Sequence, residues 1–125
     1  MKTVFLFFLA CLSLVCLPIS AAFASGDATV GKALYQSRCI ACHSIDVNLA
    51  GPAHRGVVGS KAGRVAGFDY SPALKKSKLI WNEKNLNNWL TNPEKLIPGQ
   101  KLGYAVTDAN ERQDLIAYLK SQSQQ

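Results

Sequence analysis

The chain has 125 residues, with 14 Lys and Arg against 8 Asp and Glu and a net charge of +6. That length builds one domain with a small hydrophobic core, which gains from an additional staple, and leaves no room for a second domain. The basic balance suits an acidic protein face, an anionic membrane surface or a nucleic acid as partner.

Residues 1–24 have the layout of a cleavable secretory signal: Lys2 near the start, an apolar run from Val4 to Leu17, Pro18, and Ala22-Phe23-Ala24 as a small-x-small cleavage site. The apolar run is shorter than the roughly 20 residues that span a bilayer and a proline ends it, so no stable membrane insertion is expected after cleavage. Val15 before Cys16 argues against a lipid-modified cysteine, because a small residue is needed there. Cleavage leaves residues 25–125 as the domain and a periplasmic or otherwise exported destination, which makes nucleic acid the least suitable partner. It also removes Cys11, Cys16 and Met1, so Cys39 and Cys42 are the cysteines of the mature chain and no methionine remains.

The first helix is expected from Asp27 to about Arg38, with Val30, Leu34 and Gly31 on one face. It runs into Cys39-Ile40-Ala41-Cys42-His43, a C-x-x-C-H motif of the kind that attaches a c-type haem. Two thiols a turn apart can add to the two vinyl groups of a porphyrin, and the adjacent imidazole then reaches the iron. Cys39 and Cys42 are thus the expected thioether links of one covalently attached haem c, and His43 the expected proximal ligand. A thioredoxin-like C-x-x-C would need a βαβ context, and the sequence shows no strands. A structural zinc site would need four ligands, whereas the mature chain has two cysteines and two histidines, with His54 at no useful finger spacing.

From Gly51 to Pro72 the chain has five glycines and neither helical nor strand periodicity. A loop of this length fits a compact domain when something other than chain fills its middle. A second helix is expected from Glu83 to Leu90, capped by Asn82, with Leu86, Trp89 and Leu90 as its apolar stripe. In the last helix Asp108 and Glu111 make a D-x-x-E variant of the capping box, and Leu115, Ile116 and Leu119 recur at helical spacing. There is no internal repeat, and no low-complexity tract beyond the polar tail Ser121 to Gln125.

Several segments in this order carry a family resemblance: GKALYQSRCIACH from Gly31, Gly51-Pro52, GFDYS from Gly67, Trp81, NPEKLIPGQK from Asn92 and ERQDLIAYLK from Glu111. From Gly31 to Lys120 the chain resembles a class I cytochrome c of the mitochondrial and bacterial cytochrome c2 type. The resemblance implies an all-α fold, three main helices wrapped around the haem with long glycine-rich loops. It implies that Gly31 and Tyr35 cross the last helix near Leu115 and Tyr118, the glycine permitting close approach. It further implies that the Pro52 carbonyl accepts the Nδ1 hydrogen of His43, and that Tyr70 and Trp81 meet a haem propionate. Without the resemblance these two aromatics read as core.

The family's distal methionine follows Pro-Gly-x-Lys, a position held here by Leu102. Leu74, Trp89 and Gln100 stand where related chains carry a distal asparagine, tyrosine and threonine, so an unusually apolar distal pocket is expected. Ser60 stands where the resemblance implies an arginine near a propionate, and Arg64 is a candidate to reach the same group. The sixth iron position is left among an open or water-bound iron, Lys101, Tyr104 and His54, the last on the proximal-side loop. Lysine ligates only when deprotonated, against a free pKa of about 10.4. The expected function is that of a soluble, monomeric electron carrier, not an enzyme, meeting acidic-faced redox proteins through Lys32, Lys95 and Lys101. Without methionine ligation its potential is expected below that of Met-ligated relatives. The alternative is an open distal site that binds carbon monoxide, nitric oxide or peroxide as a sensor or weak peroxidase, although no distal acid or base is identifiable.

Overall fold

The computed structural model describes residues 25–124. The expected signal segment and Gln125 lie outside the described residues. Among those described, five helices follow in order: α1 (Ala28–Arg38), α2 (Pro72–Lys76), α3 (Glu83–Thr91), α4 (Pro93–Leu96) and α5 (Ala109–Ser121). The three expected helices are present and the fold is all-α; α2 and α4 are additions that the sequence periodicity did not reveal.

Side-chain oxygens start every helix, satisfying backbone N–H groups that the first turn leaves unpaired. Asp27 accepts from the Thr29 and Val30 N–H groups, Asn82 from Asn85, and Asp108 from Asn110 and Glu111. The two short helices use the same device with proline in the first turn, Ser71 capping at Leu74 and Asn92 at Lys95. The capping box on α5 is only half formed. Glu111 turns away from Asp108 and accepts from Arg38 at 2.6 and 2.7 Å, which ties the end of α1 to the start of α5.

The crossing of α1 over α5 is set by missing side-chain volume. A Cβ on Gly31 would lie 1.9 Å from the Asp114 carbonyl oxygen and 2.9 Å from the Tyr118 Cβ, so the two backbones touch where only glycine fits. Tyr35, Val106, Leu115, Tyr118 and Leu119 are buried around that crossing. A second cluster, Ala62, Trp81, Leu86, Ile97 and Ile116, lies beneath α3, and Val57, Val58 and Leu90 touch both. The glycine-rich stretch forms no strand among the described residues; a single bridge between Lys61 and Ile80 pins it. Hydrogen bonds from Gly59 to Trp81, Trp81 to Ser60 and Ala62 to Leu79, all of 2.8 to 2.9 Å, extend that anchor.

Candidate haem site

The site starts where α1 stops. The Cys39 N–H caps the helix on the Tyr35 carbonyl, and the Cys42 and His43 N–H groups both bond to the Cys39 carbonyl, at 3.1 and 2.8 Å. The C-x-x-C-H motif is therefore one further turn, with both thiols free and the imidazole one residue on. Cys39 is partly buried against the Tyr35 cluster, and burial pushes its thiol up to about 11 against the opposing pull of Arg38. Cys42 is exposed.

His43 sits in a tight cradle. Its Nδ1–H donates to the Pro52 carbonyl at 2.9 Å, as expected, which leaves the Nε2 lone pair to serve as a ligand. Burial holds the ring below the usual imidazole range, against the opposing effect of the Pro52 carbonyl, so it is neutral and competent to ligate. A Cβ on Gly51 would come 2.1 Å from Cε1, 2.5 Å from Nδ1 and 2.6 Å from Nε2, so the imidazole occupies space that any larger residue would take. The loop closes on itself through the Gly51 N–H, which donates to the Cys42 carbonyl at 2.7 Å.

His54 lies on this same side. Its ring stacks on His43 with centroids 4.1 Å apart and planes 21° from parallel, and its Nδ1 is 3.0 Å from the Tyr35 hydroxyl. The sequence placed His54 on the proximal loop and among the sixth-ligand candidates; the geometry makes it the immediate neighbour of His43. Its position two residues after Pro52 was the available signal, since a chain hydrogen-bonded to His43 at residue 52 holds residue 54 nearby.

Tyr70 and Trp81 are both buried, each 8% exposed. The Tyr70 hydroxyl accepts from the Val65 N–H at 3.3 Å, and Trp81 meets Trp89 edge-on at 5.2 Å. Leu74 and Trp89 pack on the Trp81 cluster, so these two positions, expected on the distal side, are apolar in their surroundings as well as in kind. Gln100 is instead part of a polar clamp: Glu94 accepts from the Gly99 N–H at 2.9 Å and from the Gln100 amide at 3.2 Å, while Gln100 accepts from the Leu102 N–H. Leu102 is partly buried and lines a cleft of about 250 Å³ with Tyr104. Lys101 is exposed, and the Tyr104 hydroxyl lies beside the Arg38 guanidinium at the end of α1. Arg64 donates to the Arg55 carbonyl at 2.7 Å and Ser60 to the Val57 carbonyl at 2.7 Å, so both polar groups have backbone partners.

The donor set fits a haem: two free thiols a turn apart, and a neutral imidazole tied at Nδ1 over a residue without a side chain. No group of three or more His, Cys, Asp or Glu side chains able to hold a metal occurs among the described residues, which leaves a zinc centre without its ligands. Together with the α1–α5 crossing, this defines a small cytochrome of the covalently haem-bearing class.

The sequence pattern of the cytochrome c family matches residues 28–123, and the chain belongs to that family. It is 42% identical over 102 residues to cytochrome c 2.1 of Caenorhabditis elegans, covering 79% of this chain and 92% of the relative. With the cytochrome c of Tetrahymena pyriformis it shares 47% identity over 98 residues, 77% of this chain and 89% of the other. Among solved structures, cytochrome cH from Methylobacterium extorquens superposes with a TM-score of 0.73 at 43% identity, covering 77% of this chain and 99% of that one. Membership carries with it one covalently attached haem c and a role in electron transfer.

Proposed function

We propose that the chain is an exported electron carrier whose haem is linked through Cys39 and Cys42 and ligated by His43, with Pro52 orienting the ligand and Tyr70 and Trp81 facing a propionate. The observation that carries this reading is the His43 imidazole, tied at Nδ1 to Pro52 at 2.9 Å one residue after the second free thiol. The haem supplies a one-electron couple; the protein holds it, shields it from water and presents it to partners. The apolar setting of Leu74, Trp81 and Trp89 supports the shielding role. Exposed Lys32, Lys95 and Lys101 suit acidic-faced redox partners. Export rests on the layout of residues 1–24, and no helix among the described residues is long and apolar enough to cross a membrane.

Leu102 has no lone pair, so the carrier works at a lower potential than Met-ligated relatives. The thioether assignment is tested by Cys39→Ala with Cys42→Ala: the double variant is expected to lose its haem to acidified organic solvent while the wild type retains it. Haem retained by the variant would sink the assignment.

One observation favours a second reading, small-ligand binding at the distal side. Lys101 is exposed, Tyr104 has its hydroxyl beside Arg38, and His54 is stacked on His43, so each side-chain candidate for the sixth position is engaged elsewhere or turned to solvent. Visible spectra with and without carbon monoxide separate the two. A low-spin ferrous spectrum untouched by carbon monoxide would eliminate the open site, and a complete shift would establish it. Lys101→Ala, expected to leave the spectrum unchanged, tests lysine ligation in the same experiment.

A further inference from the structure

We propose that His54 is a positioning residue for His43, anchored by Tyr35: the stacked ring fixes the plane of the iron ligand and raises the reduction potential of the site. This rests on the reading of His43 as the iron ligand. The Pro52 carbonyl holds His43 at one atom, Nδ1, and Gly51 packs against the imidazole; the hydrogen bond by itself does not set the plane of the ring. A second aromatic plane at 4.1 Å and 21° sets it, because tilting His43 would drive its atoms into the neighbouring ring. An aliphatic side chain at residue 54 would fill the space without imposing a plane.

The stack transmits constraint only if His54 is itself held, and it is held at both ends. Its backbone N–H donates to the Ser44 carbonyl at 3.0 Å, one residue beyond the ligand, and the Arg55 N–H donates to Ile45 at 2.8 Å. At the side-chain end, Nδ1 is 3.0 Å from the hydroxyl of Tyr35. Tyr35 is 3% exposed, and its ring is wedged against Tyr118 at 5.3 Å within the α1–α5 crossing. The buried α1–α5 crossing is thus connected to the ligand through a phenol and an imidazole. That connection is absent from the roles the family resemblance suggested for Tyr35, which were packing alone.

The pair also has an electrical sense. The phenol is the stronger acid of the two groups, so its O–H donates to Nδ1 and Nε2 carries the ring proton. The positive end of that hydrogen bond then points at the ring stacked on the ligand. It opposes extra positive charge on the iron, which disfavours the oxidised state and raises the potential.

Tyr35→Phe in the haem-loaded protein is the deciding variant, because it deletes one hydroxyl and leaves the packed ring. The expected results are a lower midpoint potential and an altered order of the haem-methyl resonances in the ferric proton NMR spectrum, which report the orientation of the ligand plane. His54→Phe keeps a stacking ring and removes the anchor; in that background Tyr35→Phe should change neither quantity further. Unchanged potential and methyl pattern in Tyr35→Phe would overturn the proposal. So would an equal change in both backgrounds, which would assign the effect to packing. Failure of the underlying ligand assignment shows itself separately, as a His43→Ala variant whose spectrum matches the wild type.

Discussion

Gly51 and His43 show how much of the site depends on single atoms. An added Cβ at residue 51 would lie 2.1 to 2.6 Å from three atoms of the imidazole, well inside any tolerated contact, and the ring would have to leave its place. Gly51→Ala is accordingly expected to reduce the fraction of protein with histidine-ligated haem, read from the visible spectrum after purification, while Gly59→Ala, open on all sides but at φ +88°, should cost stability without disturbing that spectrum. Equal spectra for the two variants would contradict the cradle. The C-x-x-C-H turn was legible in the sequence because its chemistry depends on local spacing, three residues along one turn of chain. His54 was harder to read, because its meaning depends on a hydrogen bond to Tyr35, nineteen residues away. Sequence spacing gave it no partner. Tyr104 enters the sixth-ligand candidates as a phenol two residues after Leu102; its hydroxyl lies beside Arg38 at the end of α1, a neighbour that no local pattern could supply.

At the level of elements, the long helices were legible because each has a cap and an apolar stripe. The short ones, of 5 and 4 residues, offer too few turns for periodicity to register. Their signal was the cap-plus-proline pair, Ser71-Pro72 and Asn92-Pro93, which starts a helix by supplying an acceptor and a preset φ. The α1–α5 crossing is surrounded by the buried cluster of Tyr35, Val106, Leu115, Tyr118 and Leu119. Leu115 is 2% exposed within it, and Leu115→Ala should cost about 2–5 kcal/mol, measured by urea unfolding of the haem-loaded protein. Gly31→Ala should cost about 1–3 kcal/mol or more by forcing the helices apart, although alanine is the better helix former. A neutral or stabilising result at Gly31 would refute the close crossing. The start of α1 adds a pH dependence: the Thr29 and Val30 N–H groups hold the Asp27 carboxyl below the usual carboxylate range. Because the folded pKa is the lower one, the stabilisation is present above the unfolded value of about 3.9 and disappears as pH falls through the folded value. Asp27→Asn should therefore flatten the acid limb of the stability profile and leave its neutral plateau nearly unchanged.

Charge belongs to the molecule as a whole, since the field that a partner meets is a sum over the surface. Part of the basic excess is neutralised locally: Arg38 pairs with Glu111, Arg55 with Asp46, Lys75 with Asp69 and Lys120 with Glu83. Lys32, Lys95 and Lys101 are exposed and enter no salt bridge among the described residues, although Lys101 lies close enough to Asp69 to help hold its carboxyl below the usual range, so all three contribute to the positive field. The sequence disclosed the excess but not this division, because pairing partners such as Lys120 and Glu83 lie far apart in the chain and meet only in the fold. Local ion pairs this exposed contribute little to stability, whereas unpaired charges act over a Debye length of about 8 Å at physiological salt. The association rate with an acidic redox protein should therefore fall as ionic strength rises. Lys32→Gln, Lys95→Gln and Lys101→Gln together should flatten that dependence and slow association at low salt, with the midpoint potential little altered. Stopped-flow oxidation across a salt series measures both slopes. A wild-type rate independent of salt would remove electrostatic steering from the account, and an unaltered slope in the triple variant would move the contact face to another part of the surface.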